Sequence, residues 1–298
     1  MDHVRWLAEP TLRNPTMVYA FTGWNDAADA ASSALRSLVE TWGATAIAEI
    51  DPEPFTDFAT IRPHVRINAG RRTIVWPTVG LWSASVAGGD VLLLLGPEPS
   101  LRWRLFCNQI VGVAERYTAP MTVSLGALLA DVPHTRPVQI FGTASDPEVV
   151  DRFDLQRSRY EGPTGIVGVL QHALSMAGVS AASLWAAVPQ YAAQVPSPKA
   201  ALALVQRACM LIGTPPPTDA LAGAAAEYDA RVAALIADDE DLVEYVTRLE
   251  SLIDDELDDD DEPLDETPAA AAPLDAEADP GELVAEVERF LRDHDPDA

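Results

Sequence analysis

Val18-Tyr-Ala-Phe-Thr-Gly-Trp-Asn-Asp-Ala-Ala-Asp-Ala-Ala31 decides how this chain is read. Its first four residues form a β-branched and aromatic run of the kind that makes a strand. Residues 26–42 then carry Ala28, Ala31, Leu35, Leu38, Val39 and Trp42 at close to helical spacing. Between the two lies Thr22-Gly-Trp-Asn-Asp26, a turn that offers a glycine, an indole, an amide and a carboxylate. Asn25 or Asp26 can accept hydrogen bonds from the free N–H groups at the helix start. Strand, turn and helix in that order open a parallel α/β sheet.

Working outward, residues 44–50 read as a second strand closing a βαβ unit, and 91–95 as a continuous apolar strand buried on both faces. The runs 64–68 and 73–76 flank Ala69-Gly-Arg-Arg72 as a hairpin inserted in the α/β pattern. Further strands are expected at 121–125, 138–141 and 182–188, with helices at 99–117, 146–155, 165–177 and 198–212. A helical pair, 220–236 and 242–253, follows a proline run. The expected organisation is an α/β core over 1–217, a helical subdomain over 218–253, an acidic linker over 254–281 and an amphipathic C-terminal helix and tail over 282–298. The linker has too few bulky apolar residues to offset its ordering entropy and reads as disordered. Beyond it, Leu283, Val284, Val287, Phe290 and Leu291 share one helical face, expected to return to a groove on the body.

The formal charge of −26 is unevenly placed. Residues 238–298 hold 25 Asp/Glu and 3 Arg, whereas 1–237 hold 21 Asp/Glu and 17 Lys/Arg. An ordinary globular body therefore carries an acidic tail, a balance that repels nucleic acid and anionic membranes. Residues 162–198 contain no Asp, Glu, Lys or Arg, but glycine, serines and Pro189 interrupt them, which argues against a spanning helix. Cys107 and Cys209 lie in apolar helical patterns and suit a cytoplasmic protein, and the N-terminal residues do not read as a signal peptide.

Loops that follow parallel strands gather at one edge of the sheet, where ligands sit. That rule collects Trp24, Asn25, Asp26, Glu98 and Tyr191: either Asp26 and Glu98 face each other between walls of Trp24 and Tyr191, or Asp26 is a helix cap, Glu98 a solvated first-turn residue and Trp24 part of the core. The turn Ser158-Arg-Tyr-Glu-Gly-Pro-Thr-Gly165 adds Tyr160, Gly162, Thr164 and Gly165. Its free N–H groups, capped by Thr164, could hold an anion, or its glycines could bring the helix close to the sheet. His134 stands beside Asp131 between prolines, as an acid–base group or a fixed loop residue. No nucleophile elbow, Walker loop, dinucleotide fingerprint or His-based metal pattern occurs in the sequence, so no catalytic residue, metal or cofactor is assigned.

Gly-Trp-Asn-Asp-Ala, Gly-Pro-Glu-Pro-Ser-Leu-Arg-Trp, Pro-His-Thr-Arg-Pro, Tyr-Glu-Gly-Pro-Thr-Gly and Leu-Trp-Ala-Ala-Val-Pro-Gln-Tyr occur in that order between residues 18 and 250. Together they resemble the bacterial branch of the family named after the second eukaryotic proteasome assembly chaperone. The resemblance implies a three-layer α/β/α sandwich with a mostly parallel sheet, similar to nucleoside phosphorylases and peptide hydrolases. It also implies self-association, often as a trimer. The C-terminal hydrophobic–Tyr–any tripeptide with which some relatives dock on proteasome rings is replaced here by Pro296-Asp-Ala298. The phosphate-binding lysines of carboxylate–amine ligases are matched poorly by Lys199. Two readings result: a non-enzymatic, homo-oligomeric interaction protein, or a small-molecule binder or enzyme with its site at the C-terminal edge of the sheet.

Overall fold

The structure, a computed structural model, describes residues 1–68, 70–158 and 160–258. In chain order the elements are β1 (Val4–Trp6), β2 (Thr16–Thr22), α1 (Ala30–Thr41), β3 (Thr45–Ile50), β4 (His64–Asn68), β5 (Arg71–Val75), β6 (Val79–Val86), β7 (Gly89–Pro97) and α2 (Trp103–Arg116). There follow β8 (Met121–Ala130), β9 (Ile140–Ala144), α3 (Pro147–Phe153), α4 (Ile166–Met176), β10 (Ser180–Pro189), α5 (Pro198–Ile212), α6 (Asp219–Ile236) and α7 (Glu240–Asp258).

Eight strands form one mixed, mostly parallel sheet in the order β1-β3-β6-β7-β2-β8-β10-β9. Its centre, β7-β2-β8-β10, is parallel throughout. Strand β2 lies in the middle because both of its faces are apolar. Val18 and Ala20 join the side packed by α1 and α5, while Met17, Tyr19 and Phe21 join the side packed by α2 and α4. Strand β7 repeats the division, with Val91 and Leu93 on one side and Leu92 and Leu94 on the other. The result is a three-layer α/β/α sandwich. Leu35 and Leu38 of α1 are fully buried against it, each stabilising by about 1.5–3 kcal/mol.

Several expectations need correction. Strand β3 does close a crossover from β2, but β7 and β6 lie between the two strands. The more apolar β7 takes the place beside β2, and its antiparallel partner β6, absent from the sequence reading, follows it. The β4–β5 hairpin is a separate two-stranded ribbon. Helix α1 begins at Ala30 rather than residue 26, because Ala28 and Asp29 have left-handed φ values of 51° and 55° and cannot enter a right-handed helix. Helix α7 runs through Asp258, past the expected linker start. The rest of the linker and the C-terminal amphipathic segment lie outside the described residues. Among the described residues no helix is long and apolar enough to cross a membrane.

Candidate functional site

The turns after β2, β7, β8 and β10 reach one edge of the sheet because those strands are parallel neighbours. Trp24, Asn25, Glu98 and Gly165 meet there. A Cβ added to Gly165 would lie 2.5 Å from Asn25 Oδ1 and 3.3 Å from both Glu98 Oε1 and Trp24 Cε3. Gly165 thus lets α4 approach the sheet edge more closely than any side chain would permit. Glu98 Oε1 accepts the Ile166 N–H at 3.0 Å, while the Glu98 N–H donates to the Thr22 carbonyl at 2.9 Å. The helix start therefore holds an anion, and that anion is the chain's own carboxylate. The expected Thr164 cap is replaced: Gly165 is the N-cap residue and no side chain of its own turn caps α4. Tyr160, Gly162 and Thr164 lie on the exposed approach to the helix, with the Tyr160 hydroxyl donating to the Pro163 carbonyl at 2.7 Å.

Asp26 turns to the other side of the sheet. Its Oδ1 accepts the Ser32 N–H of α1 at 3.0 Å. Asp26 and Glu98 thus share an edge but anchor helices on opposite faces, which corrects the expectation that they face each other. Burial pushes the Asp26 carboxyl above its ordinary pKa, with the hydrogen bonds from Ser32 opposing the shift. Asn25 is fully buried, and its backbone carbonyl accepts the Ala127 N–H at 2.9 Å. Neither Asn25 amide atom nor Asp26 Oδ2 has a hydrogen-bond partner among the described residues. Beside these buried neighbours Trp24 is 74% exposed.

Tyr191 is no wall for Trp24; it belongs with His134. The Tyr191 hydroxyl accepts the His134 backbone N–H at 2.7 Å and lies 2.8 Å from Nδ1. The other ring nitrogen, Nε2, is buried without a partner among the described residues. Burial holds the His134 pKa below its ordinary value, despite Asp229 nearby. Burial also raises the Tyr191 hydroxyl to about 12. The Lys199 ammonium donates to the His134 carbonyl and to both Asp229 oxygens, at 2.9 and 2.8 Å. Asp131 does not pair with His134; it accepts from the Tyr245 hydroxyl at 2.7 Å. Arg136 makes a two-pronged contact with Asp254, at 2.8 and 2.6 Å. The 131–136 loop is thus fastened by α5, α6 and α7. Sequence reading missed Lys199, Asp229 and Tyr245 in this cluster; the single lysine was the signal that could have pointed to it.

A search of curated proteins found no match. Among solved structures, a PAC2 family protein from Streptomyces avermitilis is 46% identical, covering 78% of this chain and 99% of its own, with a TM-score of 0.73. A Mycobacterium tuberculosis proteasome-assembly chaperone homologue is 41% identical over 78% of this chain and 99% of its own, at a TM-score of 0.71. A Pyrococcus furiosus archaeal homolog of proteasome-assembly chaperone shares the fold at 16% identity and a TM-score of 0.55, covering 84% of this chain and 99% of its own. The PAC2 family model matches residues 20–236, a span that takes in the strands from β3 to β10, the Trp24–Asp26 turn, Glu98, Gly165 and Tyr191, and the chain belongs to the PAC2 family.

Proposed function

We propose that this chain is a chaperone-like, non-enzymatic interaction protein that self-associates in the cytoplasm and holds a protein partner at the edge where Trp24 projects. The observation that carries the reading is how the edge side chains are used. Glu98 is bound to the start of α4, Asp26 to the start of α1 and His134 to Tyr191. Trp24, by contrast, stands exposed on the turn between β2 and α1. An exposed indole backed by a fixed scaffold is a frequent anchor in protein interfaces. The kinship with a protein described as a proteasome-assembly chaperone homologue makes proteasome subunits the partner class to test first.

Purified proteasome α- and β-subunits mixed with the full chain should assemble faster by native mass spectrometry. Trp24→Ala should lose that effect with an unchanged melting temperature. No effect of the wild-type protein, or full activity of Trp24→Ala, would overturn the reading.

A second reading is favoured by one observation: the unpartnered amide of Asn25 and Oδ2 of Asp26. Buried polar atoms of this kind are satisfied by water or by a small ligand. A thermal-shift panel of nucleosides, phosphate, ATP and peptides distinguishes the two, since a binder raises the melting temperature by mass action.

A further inference from the structure

The β4–β5 ribbon stands apart from the large sheet. His64 to Asn68 pair with Val75 to Arg71, and neither strand pairs with any other strand among the described residues. Every residue of both strands is exposed. Directly opposed residues share a face, so Val65, Ile67 and Ile74 lie together, and Trp76 follows the second strand. These four side chains are between 47% and 73% exposed. A ribbon of two strands is marginal in water by itself, and a contiguous exposed apolar face marks an interaction surface.

The ribbon also differs in charge from the rest of the molecule. Between Asp57 and Asp90 the sequence has no acidic residue, but it has Arg62, Arg66, Arg71 and Arg72. The complementary surface is on α6 and α7. Residues 219–254 hold ten Asp/Glu against two Arg. Exposed Asp238, Asp239, Glu240, Asp241 and Glu244 are interleaved there with exposed Leu235 and Val243. Within one chain the two surfaces stay exposed and do not cover each other.

We propose that the β4–β5 ribbon is an arm that docks on the α6–α7 surface of a second copy of this chain. Its apolar side chains cover Leu235 and Val243 of that copy, and Arg72, which lies opposite Ile67 on the same face, meets the acidic α6–α7 junction. A nucleic acid fits less well, because the apolar face offers nothing to a phosphate backbone and a net charge of −26 opposes a polyanion. The inference rests on the self-association in the proposed function and assigns the surface that makes it.

Sedimentation velocity of the full chain across micromolar concentrations tests it. The wild-type protein should sediment above monomer mass. Ile67→Glu/Ile74→Glu and Arg72→Glu should each raise the dissociation constant at least about tenfold, with unchanged circular dichroism and melting temperature, whereas Arg66→Glu/Arg71→Glu on the opposite face should change it less. Glu240→Arg/Asp241→Arg/Glu244→Arg should behave likewise, and mixing it with the arginine-reversed arm should restore the assembly. Arm variants that keep the wild-type mass, or a mixture that fails to recover, would overturn the arm and leave self-association standing. A monomeric wild type would overturn both. A monomer that binds duplex DNA or RNA through the same arginines would reassign the ribbon.

Discussion

Ala28 has a backbone conformation that suits glycine, at φ 51°, and its carbonyl accepts the Ser197 N–H at 2.9 Å. A Cβ there costs about 1 kcal/mol, so Ala28→Gly should raise the melting temperature. Gly165 is the opposite case. Gly165→Ala would push against the buried Asn25 amide and should destabilise by about 1–3 kcal/mol in chemical denaturation. His134 gives a pH signature. Its folded pKa is depressed by burial, so between that value and the unfolded value of about 6.5 the unfolded chain binds more protons. Stability is full above about 6.5 and falls as acid is added through that window. His134→Gln should flatten this part of the pH–stability curve; an unchanged slope would show that the ring does not titrate on unfolding.

At the scale of elements, α7 is held to the 131–136 loop by side-chain contacts, and it buries Val246 and Leu249. Tyr245→Phe removes one of these contacts, a hydrogen bond of about 0.5–1.5 kcal/mol. The expected result is faster amide exchange confined to α7, with the sheet unaffected. How legible an element was followed its burial. The strand β2 and helix α5 were readable because their sequences are apolar where they are buried: β2 on both faces, α5 along one stripe. Strand β6 was not, since its alternation includes Gly80, Ser83 and Ser85. Nor was the helix start at Ala30, which depends on two left-handed residues that no spacing rule marks. The site was half legible. Chain order brought Trp24, Glu98 and Gly165 to one edge, but which helix each carboxylate would cap is decided by packing across the sheet, which one sequence does not display.

At the scale of the whole molecule, one amine matters more than its place in a loop cluster implies. Lys199 is the only lysine in the 298 residues, and its ammonium is bound by the Asp229 carboxylate and the His134 carbonyl. Acylation or glycation of a lysine side chain and isopeptide tagging all require a free, unprotonated ε-amine. This protein therefore offers lysine side-chain chemistry a single address, and the folded state keeps it occupied. An N-hydroxysuccinimide ester should label Lys199 at least about tenfold more slowly in the native protein than in denaturant. Asp229→Asn should speed the native reaction, and equal rates in native and denatured protein would show the amine to be open. Lysine-directed marking of this chain would then report the parting of α5 from α6, so that modification becomes a record of unfolding rather than of surface exposure.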